Sequence, residues 1–128
     1  MDDKEAFHQA YFAFIEELNA LSQSPEIACE LEDHYNVAYE FWYIVPNQII
    51  LLHNSQGLLT DIQVKRMKDL FKEIKQLPDD AYTWTEVAEE SLLNMQHPAW
   101  EPIRKQAKEL LTLLALVTKL NHKYLYEP

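Results

Sequence analysis

Glycine is almost absent from this sequence, in which Gly57 is the only one among 128 residues. A phosphate-binding loop and a dinucleotide fingerprint each need several glycines, so both kinds of nucleotide site are excluded. Tight hairpin turns need residues that accept a positive φ, and this chain has few of them. The shortage therefore favours helices joined by simple connections over β-hairpins.

Cysteine is equally rare, since Cys29 stands alone. A single cysteine forms no intramolecular disulfide and supplies no thiolate cluster for a metal, which fits a reducing compartment. Several carboxylates lie near Cys29 in the sequence, among them Glu26 and Glu30. Because negative charge raises the pKa of a thiol, Cys29 is not expected to be a nucleophile.

The sequence has no long apolar stretch. The longest one, Leu110 to Val117, is interrupted by Thr112 and is far shorter than the roughly 20 residues that a membrane span needs. The N-terminus is acidic and lacks the basic start and apolar run of a secretory signal. We therefore expect a soluble, cytoplasmic protein without a membrane partner.

Basic residues are scarce in the N-terminal half. Residues 1–60 contain ten carboxylates and one lysine, a balance of −9, together with nine of the 15 aromatic residues. Residues 61–77 sum to +2, 78–102 to −6 and 103–128 to +3, which gives −10 for the chain. An anionic surface repels the phosphates of nucleic acids but accelerates encounter with a basic protein. The charge pattern thus predicts a basic protein partner and no nucleic acid.

Helical periodicity is the main pattern that is present. Ser24 and Pro25 are typical of a helix start, and the helix that they open is expected to continue to about Trp42. Before it, apolar residues at alternating steps of four and three predict a first helix over about Asp2–Leu21. The residues of this inner stripe are Phe7, Tyr11, Phe14, Leu18 and Leu21.

The middle of the chain contains one ambiguous segment and one clear helix. Residues 39–52 are rich in Tyr, Trp, Ile and Val, which suit either a strand or a buried helix, and Pro46 should interrupt both. Thr60 and Gln63 have the spacing of a capping box, so a helix is expected to begin there and to end at Pro78.

The C-terminal part predicts two more helices. Thr83 and Glu86 resemble a second capping box, and a last helix is expected from about Glu101 to Tyr124. Because leucines cover nearly all faces of this last helix, we expect it at the centre of a bundle. The sequence therefore predicts an all-α, single-domain helical bundle of five or six helices that comprises residues 1–128.

No complete catalytic or metal-binding constellation is present. Glu5 and His8 have the Glu-x-x-His spacing of half a di-iron site, but the motif has no second copy, and both are expected on the solvated surface. Glu30 and His34 lie one turn apart in an acidic stretch. We therefore predict no catalytic residue, no metal, no cofactor and no enzyme activity. The alternative is a helical-bundle metal- or ligand-binding protein or enzyme that uses these four residues.

Two segments combine carboxylates with aromatic residues. One surrounds Tyr35 and Tyr39, and residues 79–84 repeat the same chemistry in a loop. A mixed tyrosine and carboxylate patch is suited to a basic protein surface that loses its water on binding. The candidate partner-binding residues are Glu30, Glu32, Asp33, Tyr35, Tyr39, Glu40, Asp79 and Asp80.

Three stretches, Pro46–Leu52, Gly57–Thr60 and Ser91–Trp100, resemble the small helical immunity proteins of bacterial contact-dependent growth inhibition systems. The resemblance extends over roughly residues 40–115. It implies a cytoplasmic toxin inhibitor that binds the cognate toxin domain delivered by a neighbouring cell. Such a domain is often a nuclease, with the EndoU ribonuclease class as one candidate. The resemblance assigns no binding residues and no oligomeric state.

Overall fold

The computed structural model describes residues 2–53 and 57–127, and all regular secondary structure in this part of the chain is helical. The prediction of an all-α fold is confirmed, although the helices are more numerous than expected. Short 3-10 helices occur at Val45–Asn47, Asp79–Ala81 and Pro98–Trp100. The α-helices of the described residues are α1 (Asp3–Leu21), α2 (Pro25–Leu31), α3 (Val37–Ile44), α4 (Ile49–His53), α5 (Asp61–Lys75), α6 (Ala88–Met95), α7 (Glu101–Leu113) and α8 (Ala115–Tyr126).

α1 is the central helix, because it packs against α2, α4, α7 and α8. Its N-terminus is capped by Asp2, whose Oδ1 accepts a hydrogen bond from the Glu5 backbone N–H at 2.8 Å. The predicted inner stripe of α1 is fully buried, and it joins residues of α3, α5, α7 and α8 in one apolar core. Burying an apolar side chain of this size stabilises the fold by roughly 1.5 to 3 kcal/mol. The stripe is therefore a major source of stability.

The second helix is much shorter than predicted, because α2 ends at Leu31 and α3 begins only at Val37. Tyr35 accordingly lies in the connection and does not share a helical face with Tyr39. A right-handed helix cannot pass through residues of positive φ, and this backbone costs roughly 1 kcal/mol or more for residues other than glycine. Three such residues lie in the connection: Asp33 (φ 64°), His34 (φ 69°) and Asn36 (φ 57°).

Distant residues hold this connection in place. The backbone N–H of Val37, the first residue of α3, donates to the Ser91 hydroxyl of α6 at 3.0 Å. Asn36 Oδ1 accepts from the Thr85 backbone N–H at 3.2 Å. Both bonds are buried, so they satisfy groups that would otherwise lack a partner. The break between α2 and α3 is therefore stabilised by tertiary contacts.

The segment that suited either a strand or a helix is helical. Residues 39–52 contain most of α3 and α4, with the 3-10 helix Val45–Asn47 between them. Pro46 lies inside this 3-10 helix, where its missing N–H and fixed φ end the α-helical hydrogen-bonding pattern. The predicted interruption at Pro46 is therefore confirmed.

Only the first of the two predicted capping boxes is present. At the start of α5, the Thr60 N–H donates to Gln63 Oε1 (2.9 Å) and the Gln63 N–H donates to Thr60 Oγ1 (3.2 Å). The second prediction is wrong, because the Thr83 hydroxyl donates to the Asp79 carbonyl and α6 begins only at Ala88. Residues 82–87, which precede α6, form a connection without regular secondary structure instead.

The predicted last helix is divided at Leu114 into α7 and α8. Leu114 is buried, but other leucines of these helices are exposed, so the prediction of a central last helix is wrong. α7 packs against α1 and α5, and α8 packs mainly against α1. These contacts cover only one side of α7 and one side of α8. The exposed leucines are Leu113, Leu116 and Leu120. Within the described residues, no helix combines the length and the apolar character that crossing a bilayer requires.

Candidate partner-binding surface

Aromatic rings join α3 to the segment 79–84. The rings of Trp42 and Tyr82 are stacked, with centroids 4.3 Å apart and planes inclined by 5°. Trp84 meets Tyr39 edge to face at 5.1 Å, and Tyr43 lies parallel to Tyr39 at 6.4 Å. We call these five rings the aromatic face. The fold thus brings together the two segments in which the sequence combines carboxylates with aromatic residues.

The core and α6 fix the position of the segment 79–84. Trp100 is fully buried, and its indole N–H donates to the Ala81 carbonyl oxygen at 2.8 Å. The Asn94 side chain of α6 donates to the Thr83 carbonyl oxygen, also at 2.8 Å. These two bonds restrain the backbone on both sides of Tyr82. The aromatic face is therefore held by the folded core and is largely formed before any partner binds.

A second group lies beside α3 and consists of five carboxylates, which we call the acidic cluster. It contains Glu16 and Glu17 from α1, Glu32 and Asp33 from the connection after α2, and Glu40 from α3. Burial, reinforced by the charges of the other four carboxylates, raises the pKa of Glu32 to about 7. Burial likewise raises the pKa of Glu17, with contributions from Glu40 and Glu16.

The acidic cluster has no cationic partner in the part of the chain that the structure describes. The ion pairs found there involve other carboxylates. The charges of its members raise the free energy of the ionised forms of Glu17 and Glu32, and an added cation would lower it. The cluster is therefore unfavourable in the isolated protein and favours the approach of a positive group.

Asp79 and Asp80 already have partners within the chain. The Tyr82 hydroxyl donates to Asp79 Oδ1 at 2.9 Å, and this bond raises the pKa of Tyr82. His97 Nδ1 accepts from the Ala99 N–H at 3.0 Å, so the ring hydrogen of neutral His97 lies on Nε2. This Nε2 lies 3.2 Å from Asp80 Oδ1 and can donate to it. Both aspartates are exposed, and Asp79 borders the aromatic face.

The candidate residues are only partly brought together. Glu30 and Tyr35 are exposed, and in the described part their side chains form no ion pair, hydrogen bond or ring contact with either group. The sequence-based list omitted four rings of the aromatic face, although their spacing in α3 and their place in the segment 79–84 indicated them. Those rings are Trp42, Tyr43, Tyr82 and Trp84. The candidates that belong to the two groups are Glu32, Asp33, Tyr39 and Glu40.

His8 is not on the solvated surface as predicted, because it is buried between α1 and α8. Its Nδ1 lies 2.6 Å from Asn121 Oδ1, and its ring stacks on Tyr124 with centroids 3.7 Å apart. Glu5 is exposed as expected. Within residues 2–53 and 57–127, no three His, Cys, Asp or Glu side chains are grouped so that they could bind one metal ion. Glu30 and His34 are both exposed.

Cys29 lies in the core rather than at a reactive surface. Its side chain is buried, and burial, followed by the charge of Glu26, raises the pKa of its thiol. Among the carboxylates that lie near Cys29 in the sequence, Glu26 is the one that contributes to this rise, and burial is the larger cause. A neutral, buried thiol is a poor nucleophile and a poor metal ligand.

An open cleft of about 870 Å³ lies between α5 and α7, and none of the candidate residues lines it. Arg66 and Lys72 alternate there with Asp69, Glu73 and Glu109. Charges of both signs compensate one another, so the cleft has no strong field of one sign. It therefore does not favour a phosphate or another small anion.

No family model matches this chain, and no curated protein or solved structure matches it either. Similarity thus assigns neither a family nor an activity to the chain.

Proposed function

We propose that this protein is an immunity protein that binds and neutralises a basic protein toxin of the nuclease type. The observation that carries the proposal is the contact between α3 and the segment 79–84. It unites the aromatic face with the carboxylates of Glu40 and Asp79, which come from segments about forty positions apart. Aromatic anchors next to charged groups are characteristic of tight protein interfaces.

The charge of the surface supports a basic partner. The chain carries a net charge of −10, and the acidic cluster has no cation of its own within the described residues. A lysine or arginine from a partner would lower the pKa of Glu32 and relieve the repulsion among the five carboxylates. Such complementarity increases the association rate more than the affinity.

A nuclease is the partner that this chemistry supports best. A nuclease groove must present Lys and Arg to the phosphates of its substrate. Carboxylates placed over the groove would pair with the same side chains and exclude the nucleic acid. The resemblance to immunity proteins of contact-dependent inhibition supports a toxin rather than a housekeeping nuclease, and it gives the EndoU ribonuclease class as one candidate.

Reversing two charges of the acidic cluster tests this proposal. We expect Glu32→Lys/Asp33→Lys to reduce the association rate constant with the toxin about tenfold or more at low salt, because two attractive charges become repulsive. The test uses the product of the adjacent upstream reading frame as the candidate toxin, and stopped-flow mixing measures the rate. Folding should be retained, since each new ammonium group lies among carboxylates.

The matched control is Glu109→Lys/Glu127→Lys, which changes the net charge by the same amount, from −10 to −6, at exposed positions outside the acidic cluster. The control should change the rate by no more than about threefold, because only the general field of the protein is affected. Equal effects of the two double variants, or a wild-type rate that does not depend on salt, would rule out the acidic cluster as the binding surface.

A further inference from the structure

Two rings of the aromatic face have large free surfaces. Trp84 is 59% exposed and Tyr43 is 56% exposed, and Tyr39 lies between them. The Trp84 and Tyr39 planes are inclined by 82°, whereas the Tyr43 and Tyr39 planes are inclined by 4°. The planes of Trp84 and Tyr43 are therefore nearly perpendicular. These three residues form an open corner of aromatic rings, which we call the aromatic corner.

Another ring of the aromatic face, that of Trp42, already binds a positive charge. The Lys75 ammonium group lies 4.7 Å from the centroid of the Trp42 ring. Tyr82 stacks on this ring at 4.3 Å, so Trp42 has partners within the chain. A cation near an aromatic face is attracted by the negative potential above the ring. Trp84 and Tyr43 have the same chemistry, and no cation of the described residues lies over either ring.

Carboxylates adjoin the aromatic corner. Glu40 precedes Tyr43 by three positions in α3, so the two side chains are neighbours on the helix surface. Glu40 also belongs to the acidic cluster, which extends the negative potential along α3. A purely apolar ligand would remove water from these carboxylates and would offer them no hydrogen bond or positive charge in return. The corner therefore favours a ligand that is both flat and positive.

Trp84 is held in position by its sequence neighbours. The Thr85 N–H donates to the buried side chain of Asn36, and the Thr83 carbonyl oxygen accepts from Asn94. The backbone on both sides of Trp84 is thus attached to the rest of the fold. Little backbone entropy therefore remains to be lost when a ligand binds to the Trp84 ring.

We propose that Tyr39, Tyr43 and Trp84 bind the guanidinium group of an arginine from the basic partner. Arginine fits better than lysine because its planar group stacks on an aromatic ring while its N–H donors reach a nearby carboxylate. This inference rests on the proposed function, in that the partner is a basic protein. The inference specifies which side chain of the partner is bound and which residues of this protein bind it.

A peptide titration tests the aromatic corner without the toxin. The probe is a capped peptide of four arginines, and the indole N–H resonances of the full-length protein report binding by NMR. We expect Trp84→Leu to raise the dissociation constant of this peptide about fivefold or more, and Tyr43→Leu to act in the same direction. Leu93→Ala, at an exposed apolar residue of α6, is the control and should have no effect.

Comparison peptides separate a guanidinium from other ligands. Peptides of four lysines and of four citrullines should bind more weakly, since lysine lacks the planar group and citrulline lacks the charge. The proposal is overturned if the citrulline or lysine peptide binds as tightly as the arginine peptide. It is also overturned if Trp84→Leu leaves binding unchanged, or if a thymidine oligonucleotide, added without any peptide, shifts the Trp84 indole N–H resonance as much as the arginine peptide does.

The toxin assay distinguishes this inference from the proposed function. If Glu32→Lys/Asp33→Lys abolishes neutralisation while Trp84→Leu and Tyr43→Leu retain it, the aromatic corner is not the anchor although the function stands. If the arginine peptide needs Trp84 but the wild-type protein neither binds nor neutralises the toxin, the corner binds guanidinium and the proposed function fails. Loss of toxin binding in both sets of folded variants supports the two proposals together.

Discussion

Replacing Trp100 with alanine should lower the free energy of unfolding by about 3 to 5 kcal/mol. Trp100 is fully buried and packs against Phe41, so the truncation leaves a cavity in the core. It also removes the donor to the Ala81 carbonyl oxygen, which fixes the segment 79–84. Urea unfolding followed by far-UV circular dichroism measures the change. A loss of this size is a large part of the stability of a domain of this length.

Trp84→Ala is the matched control for this experiment, because it makes the same chemical change at an exposed residue. It should change the stability by less than about 1 kcal/mol. Trp100→Phe should lie between the two, since it keeps most of the ring but leaves the Ala81 carbonyl oxygen without its donor. If Trp100→Ala is no more destabilising than Trp84→Ala, the core does not depend on Trp100 as the structure indicates.

Replacing Glu32 with glutamine should stabilise the protein at pH 8 and have little effect near pH 4. The pKa of Glu32 is raised in the folded state to about 7, above its ordinary value of 4.5. Below that ordinary value the carboxyl is protonated in both the folded and unfolded states. As the pH rises from 4.5 to about 7, the unfolded chain releases this proton while the folded protein retains it, so stability is lost, and above 7 the folded state carries an unfavourable charge. Glutamine has no charge to accept.

The expected gain at pH 8 is about 1 to 2 kcal/mol, because solvent screens part of the effect at a half-buried carboxyl. Urea unfolding curves at pH 4, 6 and 8 measure it. Glu30→Gln, at an exposed glutamate of α2, serves as the control and should show the pH dependence of the wild-type protein. Parallel pH profiles for wild type and Glu32→Gln would mean that Glu32 titrates normally in the folded state.

Local sequence signals were sufficient where a helix is defined by its own residues. The apolar spacing of α1 and the capping box of α5 are both contained in short segments, and both are present in the structure. The all-α class follows from such segments together with the single glycine. The interruption at Pro46 also has a purely local cause, since proline lacks the N–H that an α-helix needs.

Tertiary contacts account for what the sequence did not reveal. The break before α3 depends on Ser91 and Thr85, which lie about fifty positions away from the groups that they bind. His8 is buried because Asn121 and Tyr124 come from the other end of the chain. The spacing of residues within a short segment does not reveal contacts of this kind.

The candidate surface was predictable in its chemistry but not in its arrangement. The sequence indicated carboxylates and aromatic residues in two segments. It did not show that Trp84 would contact Tyr39, because that contact depends on how Trp100 and Asn94 position the segment 79–84. The sequence-based list therefore favoured charged residues, whereas the structure emphasises the rings between them.

The buried thiol of Cys29 can report how often the folded protein opens. Cys29 is inaccessible and neutral in the folded state, so a thiol-specific dye can react only when the surrounding helices separate. One cysteine means one labelling event per molecule, which mass spectrometry can count. In the presence of the toxin the labelling rate should fall by the factor by which binding lowers the population of the open state, which grows exponentially with the free energy that binding adds. Partner binding can thus be quantified without attaching a probe to the interface.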